Sequence, residues 1–149
     1  QNGEKIWSVR VQFGCHCFTE QLSAHHTPDF RYRHENETRA FDLQRYDLSQ
    51  QLPQLITAIG SRSVYKSNQI NYFTLRQDAH PNHPGPYLVF FDVHKLKHRS
   101  EDVLMNIESA YIKPNMTDRA SPVKFTTLIE KTALGEKVPR GPLQAIKRK

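Results

Sequence analysis

The stretch from Pro86 to Thr132 constrains this chain most, because it reads as three successive antiparallel strands. They are Tyr87–Lys95, Val103–Ile112 and Val123–Thr132. The first is rich in aromatic and β-branched residues, Leu-Val-Phe-Phe-Asp-Val. The second alternates, with Val103, Met105, Ile107, Ser109 and Tyr111 expected on one face. The third alternates through Val123, Phe125, Thr127 and Ile129. Successive strand side chains point to opposite sides, so each run offers one face to a core. The polar segments between the runs suit a meander.

The rest of the chain must cover or extend that sheet. Ile6–Phe18 reads as a strand with Trp7, Val9, Val11, Phe13, Cys15 and Cys17 on one face. Arg10, Gln12, Gly14 and His16 take the other. A glycine inside a strand marks a bulge or a close backbone approach, so Gly14 beside His16 suggests a shaped surface. Residues 19–28 are polar, carry His25 and His26, and read as a loop or short helix. Asp29–His34 and Thr38–Leu43 read as a hairpin that turns at Asn36. Ser63–Ser67 and Ile70–Arg76 read as a second hairpin around Asn68-Gln69.

One helix is expected over residues 47–59. Leu48, Leu52, Leu55, Ile56 and Ile59 follow helical spacing, Asp47 can cap the start and Gly60 the end. Pro53 lacks an N–H and clashes one turn back, so the helix kinks or restarts there. The fold class is therefore α+β, an antiparallel meander with a kinked helix packed on one face. A length of 149 residues suits a single domain. Residues 136–149 form a basic, proline-punctuated tail.

Charge narrows the partner. Lys and Arg exceed Asp and Glu by 6, which suits an anionic partner, nucleic acid being the commonest, and equally a merely solvated surface. In an extended strand Cys15 and Cys17 would lie about 7 Å apart on one face, too strained for a bridge. Free thiols and a cytoplasmic, reducing compartment are expected. No apolar run reaches bilayer length, and no secretory signal pattern is visible.

The chemistry-bearing residues are scattered. A zinc site built on Cys15, His16 and Cys17 with His25, His26, His80 or His83 is conceivable. Its spacing is too short for the usual paired-cysteine pattern, so no metal or cofactor is expected. Imidazole titrates near neutrality, which suits His16 to general acid–base work, although a lone histidine is often structural. His25 and His26 are the other candidates. Tyr111 could donate to a phosphate or be an ordinary strand aromatic. Ser109 lacks a nucleophile-elbow motif. Arg10, Arg31, Arg33 and Lys124 are the expected anion contacts, and Asp92 and His94 share a face with Leu88 and Phe90.

A small basic domain with a helix before an antiparallel meander, and this stock of His, Arg, Lys and Tyr, resembles the metal-independent ribonuclease toxins. These are the RelE-like, barnase-like and colicin-like nucleases. Phe13-Gly14-Cys15-His16, Phe91-Asp92-Val93 and Ser109-Ala110-Tyr111 are also similar to stretches of small proteins of bacterial mobile elements. The resemblance implies RNA cleavage, and an antitoxin or immunity protein as partner. A non-catalytic module that binds nucleic acid or protein is the alternative. It accounts for the charge and for the aromatics interleaved with arginines in Phe30–Arg33.

Overall fold

The structure, a computed structural model, describes residues 5–67, 72–78, 85–97, 99–114 and 122–138. The Asn68-Gln69 turn, His80, His83 and the tail from 139 onward lie outside the described residues. The elements run β1 (Val9–His16), β2 (Thr19–Gln21), β3 (Arg31–His34), β4 (Glu37–Phe41), α1 (Leu43–Ser49), α2 (Leu52–Thr57), β5 (Ser63–Lys66), β6 (Phe73–Gln77), β7 (Tyr87–Lys95), β8 (Val103–Ile112), β9 (Pro122–Lys124) and α3 (Phe125–Leu134). The architecture is α+β, as expected. Among the described residues a six-stranded sheet has the order β1-β8-β7-β6-β5-β9, and a three-stranded sheet the order β2-β4-β3. Among the described residues no helix is long and apolar enough to cross a membrane.

Strands β5 to β8 form an antiparallel meander, and β1 joins β8 in parallel at one edge. The two long strands expected at 87–95 and 103–112 form as read. The third does not. Only Pro122–Lys124 is extended, and it pairs with β5 at the far edge rather than with β8. Residues 125–134 are helical instead. Phe125, Leu128, Ile129 and Ala133 are the buried positions, which is helical spacing. Gly135, at φ 72°, ends α3, with Glu136 N–H donating to the Lys131 carbonyl at 2.8 Å and Gly135 N–H to Thr132 at 3.1 Å. A short run such as Val-Lys-Phe-Thr-Thr-Leu-Ile satisfies both periods. Burial of Phe125 edge-on to Phe91, ring centres 6.2 Å apart, accompanies the helical choice.

The core face of the sheet carries Val89, Phe91, Met105 and Ile107, and Leu128 of α3 and Leu52 of α2 join the same buried cluster. Along β8 the expected alternation fails at Glu108. Phe90 pairs with Ser109 and Phe91 with Ile107, so Glu108 has no opposite residue. That bulge puts Ala110, not Ser109, in the core. Tyr111 follows Ser109 to the other face, where its ring stacks on Phe90 at 5.2 Å.

The expected helix begins earlier and is two helices. Asp42, not Asp47, caps α1, accepting from Arg45 N–H at 2.8 Å. The break falls at residues 50–51, where a continuous helix would drive the Pro53 ring into the Ser49 carbonyl. Leu48, Leu52 and Ile59 are buried, as their spacing required. The first hairpin forms with Glu35 and Asn36 as its turn, Glu35 taking φ 53°. Of the segment expected as loop or short helix at 19–28, Thr19–Gln21 is instead strand β2, and residues 22–27 are loop as expected.

Candidate functional site

The site is built where β1 ends. Val9 to Phe13 pair in regular register with Val103 to Ile107, and the register then shifts before His16 meets Ser109. Gly14 permits this. A Cβ there would stand 3.2 Å from the carbonyl oxygens of both Ile107 and Glu108. The bulge expected from Gly14 is present, and it redirects its neighbours. Phe13, ahead of the shift, still pairs with Ile107 on the apolar face as expected, and on this edge strand it is 46% exposed.

In a regular strand Cys15 and His16 would point apart. Here the Cys15 sulfur, a His16 ring nitrogen and a Glu37 carboxylate oxygen lie within 4.8 Å of one another. Cys17 goes elsewhere. Its thiol approaches the Ile107 carbonyl at 3.8 Å in the core, and burial first, with Glu108 and Cys15 next, pushes its pKa up to about 12. The chain reverses at Cys17 and Phe18, so β2 runs back and pairs with β4, which brings Glu37 to His16.

His16 Nε2 lies 3.0 and 3.1 Å from the two Glu37 oxygens. A carboxylate only accepts, so Nε2 carries the proton and Nδ1 keeps the lone pair of the neutral ring. The hydrogen bond from His16 holds the Glu37 carboxyl below its ordinary range against the opposing cost of desolvation, with smaller help from Arg39. Arg39 donates to Glu37 at 3.2 Å, to the Thr19 hydroxyl at 2.8 Å and to the Thr19 carbonyl at 3.2 Å. Thr19 is fully buried and donates to the Cys15 carbonyl at 2.7 Å, which fixes the turn. Arg45 of α1 donates to the Thr19 carbonyl at 2.7 Å and the His16 carbonyl at 3.4 Å. Its guanidinium carbon is 5.0 Å from the centre of the Tyr111 ring.

The expected residues thus separate. His16 and Tyr111 are linked through Arg45. Arg31 and Arg33 do not join them: Arg39 pairs with Tyr32, so alternation sends both to the opposite face of the small sheet. Arg10 pairs with Glu101 at 3.6 Å, and Lys124 sits on β9 at the far edge of the large sheet. His25 and His26 form a second cluster with Glu20, His26 Nε2 lying 2.7 Å from Glu20 Oε1. Glu20 pairs with Ala40, which places it on the Arg31 side of the small sheet, away from Glu37. Asp92 and His94 meet at 3.3 Å. A separate cleft of about 710 Å³ is lined by Trp7, Val9, Phe125 and Ile129, and none of the expected site residues lines it.

Sequence reading missed Glu37, Arg39 and Arg45 around His16, and grouped Cys15 with His16 only together with Cys17, which the structure sends into the core. Gly14 was the available signal for Cys15, since a bulge can turn consecutive side chains to one side. Glu37, Arg39 and Arg45 reach the site through pairing and packing that no local pattern announces. The arrangement is an imidazole oriented by a carboxylate, with a thiol nearby, one guanidinium on that carboxylate and a second on the His16 main-chain carbonyl. It can accept and return a proton beside positive charge.

The model of the YjaZ family matches residues 1–133. No curated protein and no solved structure matches the chain.

Proposed function

We propose, for a chain that belongs to the YjaZ family, that it is a metal-independent endoribonuclease centred on His16. The observation that supports this is the His16–Glu37 pair, at 3.0 and 3.1 Å, with Arg39 on Glu37 and Arg45 on the His16 main-chain carbonyl. His16 Nδ1 takes the proton of an RNA 2′-hydroxyl, and the freed oxygen attacks the adjacent phosphorus. Glu37 stabilises the imidazolium that results, as an orienting carboxylate does. Arg45 and Arg39 offset the negative charge that grows on the phosphate, and the Tyr111 hydroxyl donates to a phosphate oxygen. The imidazolium returns its proton to the departing 5′ oxygen, leaving a cyclic phosphate. His25 and His26, on the other side of the small sheet, take no part.

The test is RNA cleavage by wild type and His16→Ala in excess chelator. The mutant should be slower by about two to four orders of magnitude, the usual worth of a general acid or base. No cleavage of any RNA by the wild type ends this reading.

A second reading has its own support. Strand β3 is an edge of the small sheet, with Arg31 and Arg33 exposed and Phe30 38% exposed at its start. Such an edge suits a binding module for nucleic acid, or for an antitoxin-like protein that adds a strand. Arg31→Ala with Arg33→Ala would then weaken binding while His16→Ala leaves it unchanged.

A further inference from the structure

We propose that Cys15, His16 and Glu37 bind a divalent transition-metal ion of the zinc class. A thiol sulfur, an imidazole nitrogen and a carboxylate oxygen lie there within 4.8 Å of one another. Zinc takes these ligand types at about 2.0–2.3 Å, so tetrahedral donors stand about 3.3–3.6 Å apart. The His16–Glu37 contacts, 3.0 and 3.1 Å, already approach that separation. The ion replaces the proton between them, and the Cys15 sulfur closes in as the third ligand. Water fills the fourth position, as it does where zinc has three protein ligands.

The tautomer of His16 permits this. Nδ1 has no hydrogen-bond partner among the described residues, so the proton can move there when Nε2 takes the ion. Glu37 Oε1 also accepts from Arg39, while Oε2, among the described residues, contacts His16 alone and can turn to the metal. The thiolate and the carboxylate together balance a double positive charge, which the nearby Arg39 would otherwise oppose.

The second cluster contrasts with this one. His26 Nδ1 accepts from the Ser23 N–H at 2.9 Å, so Nε2 must keep its proton, and that proton already meets Glu20 at 2.7 Å. Ligation there would break a bond that the loop backbone makes. His26 is thus a satisfied structural histidine, with its side chain only 8% exposed. Cys17 is excluded from either cluster by burial.

The inference goes beyond the ribonuclease reading and does not rest on it. If both hold, metal and RNA compete for His16, and zinc inhibits cleavage until a chelator removes it.

The experiment is a titration of the reduced, metal-free full chain with Zn²⁺ against a coloured chelator. A parallel titration with Co²⁺ follows the near-ultraviolet absorption of thiolate bound to cobalt. The expected result is one ion per chain with that absorption present. Cys15→Ser removes the absorption and weakens binding at least about tenfold, Glu37→Gln weakens it similarly, and His25→Ala leaves it unchanged. Absence of one-to-one Zn²⁺ binding overturns the proposal. So does a folded Cys15→Ser protein that binds like wild type, or weakening by His25→Ala but not by Glu37→Gln. If a thermal melt shows Cys15→Ser unfolded, Glu37→Gln decides, and unchanged affinity in it overturns the site. Failure of RNA cleavage would not alter the outcome of either titration.

Discussion

Cys15 and Cys17, two positions apart, occupy different environments: Cys15 is half-buried beside His16 and Glu37, whereas the Cys17 sulfur is packed 3.8 Å from the Ile107 carbonyl. Iodoacetamide should therefore alkylate Cys15 in the native protein and reach Cys17 only after unfolding. Peptide mass mapping after brief labelling checks this, and equal labelling of both would contradict the burial of Cys17.

The same burial has a pH signature. The Cys17 pKa rises from 9.0 to about 12 on folding, because burial disfavours the thiolate. A raised folded pKa leaves this contribution to stability intact below pH 9 and removes it as pH climbs toward 12. Stability should fall over that window. Tyr87, whose pKa burial raises further, adds to the fall. In urea unfolding at several pH values, Cys17→Ala should show a shallower decline than wild type; an identical slope would refute the assignment.

Glu37 works in the opposite direction. Its carboxyl is held below 4.5 chiefly by the hydrogen bond from His16. That contribution is present above pH 4.5 and is lost as pH falls through the lowered value. Glu37→Gln should remove this part of the acid-side dependence, which urea unfolding at several acidic pH values measures. An acid-side slope identical to that of wild type would mean that the pair adds nothing to stability.

Gly14→Ala should destabilise the fold by about 1–3 kcal/mol, the usual cost of forcing a methyl group into a packed site. The added carbon would press on two backbone oxygens of β8, each at 3.2 Å, and an interior strand yields little. Denaturant unfolding measures the change. A neutral result would show that β1 can move away from β8.

Helix α3 offers a direct comparison. Leu128 is fully buried and Thr127 half-buried. Leu128→Ala should cost about 2–5 kcal/mol and Thr127→Ala far less. A strand with Thr127 facing the core would reverse that order.

Much of this architecture is legible in the residues alone. The aromatic and β-branched run of β7, the turn at Asn36, the helix-breaking Pro53 and the irregularity at Gly14 each act over a few positions, where sterics and periodicity suffice. Side chains beyond a bulge obey no such local rule. One extra residue at Glu108 moved Ser109 and Tyr111 off the core face, and the shift beside Gly14 brought Cys15 to His16. A short run with both strand and helix periodicity, such as Val123–Ile129, is settled by what it packs against, here Phe91. Glu37 and Arg45 reach His16 across 21 and 29 positions of chain, through the β2–β4 pairing and the docking of α1. Local composition determined which segments could be strands or helices. Only tertiary structure decided which side chains share a site, because side-chain direction depends on register, and register is a property of two segments rather than one.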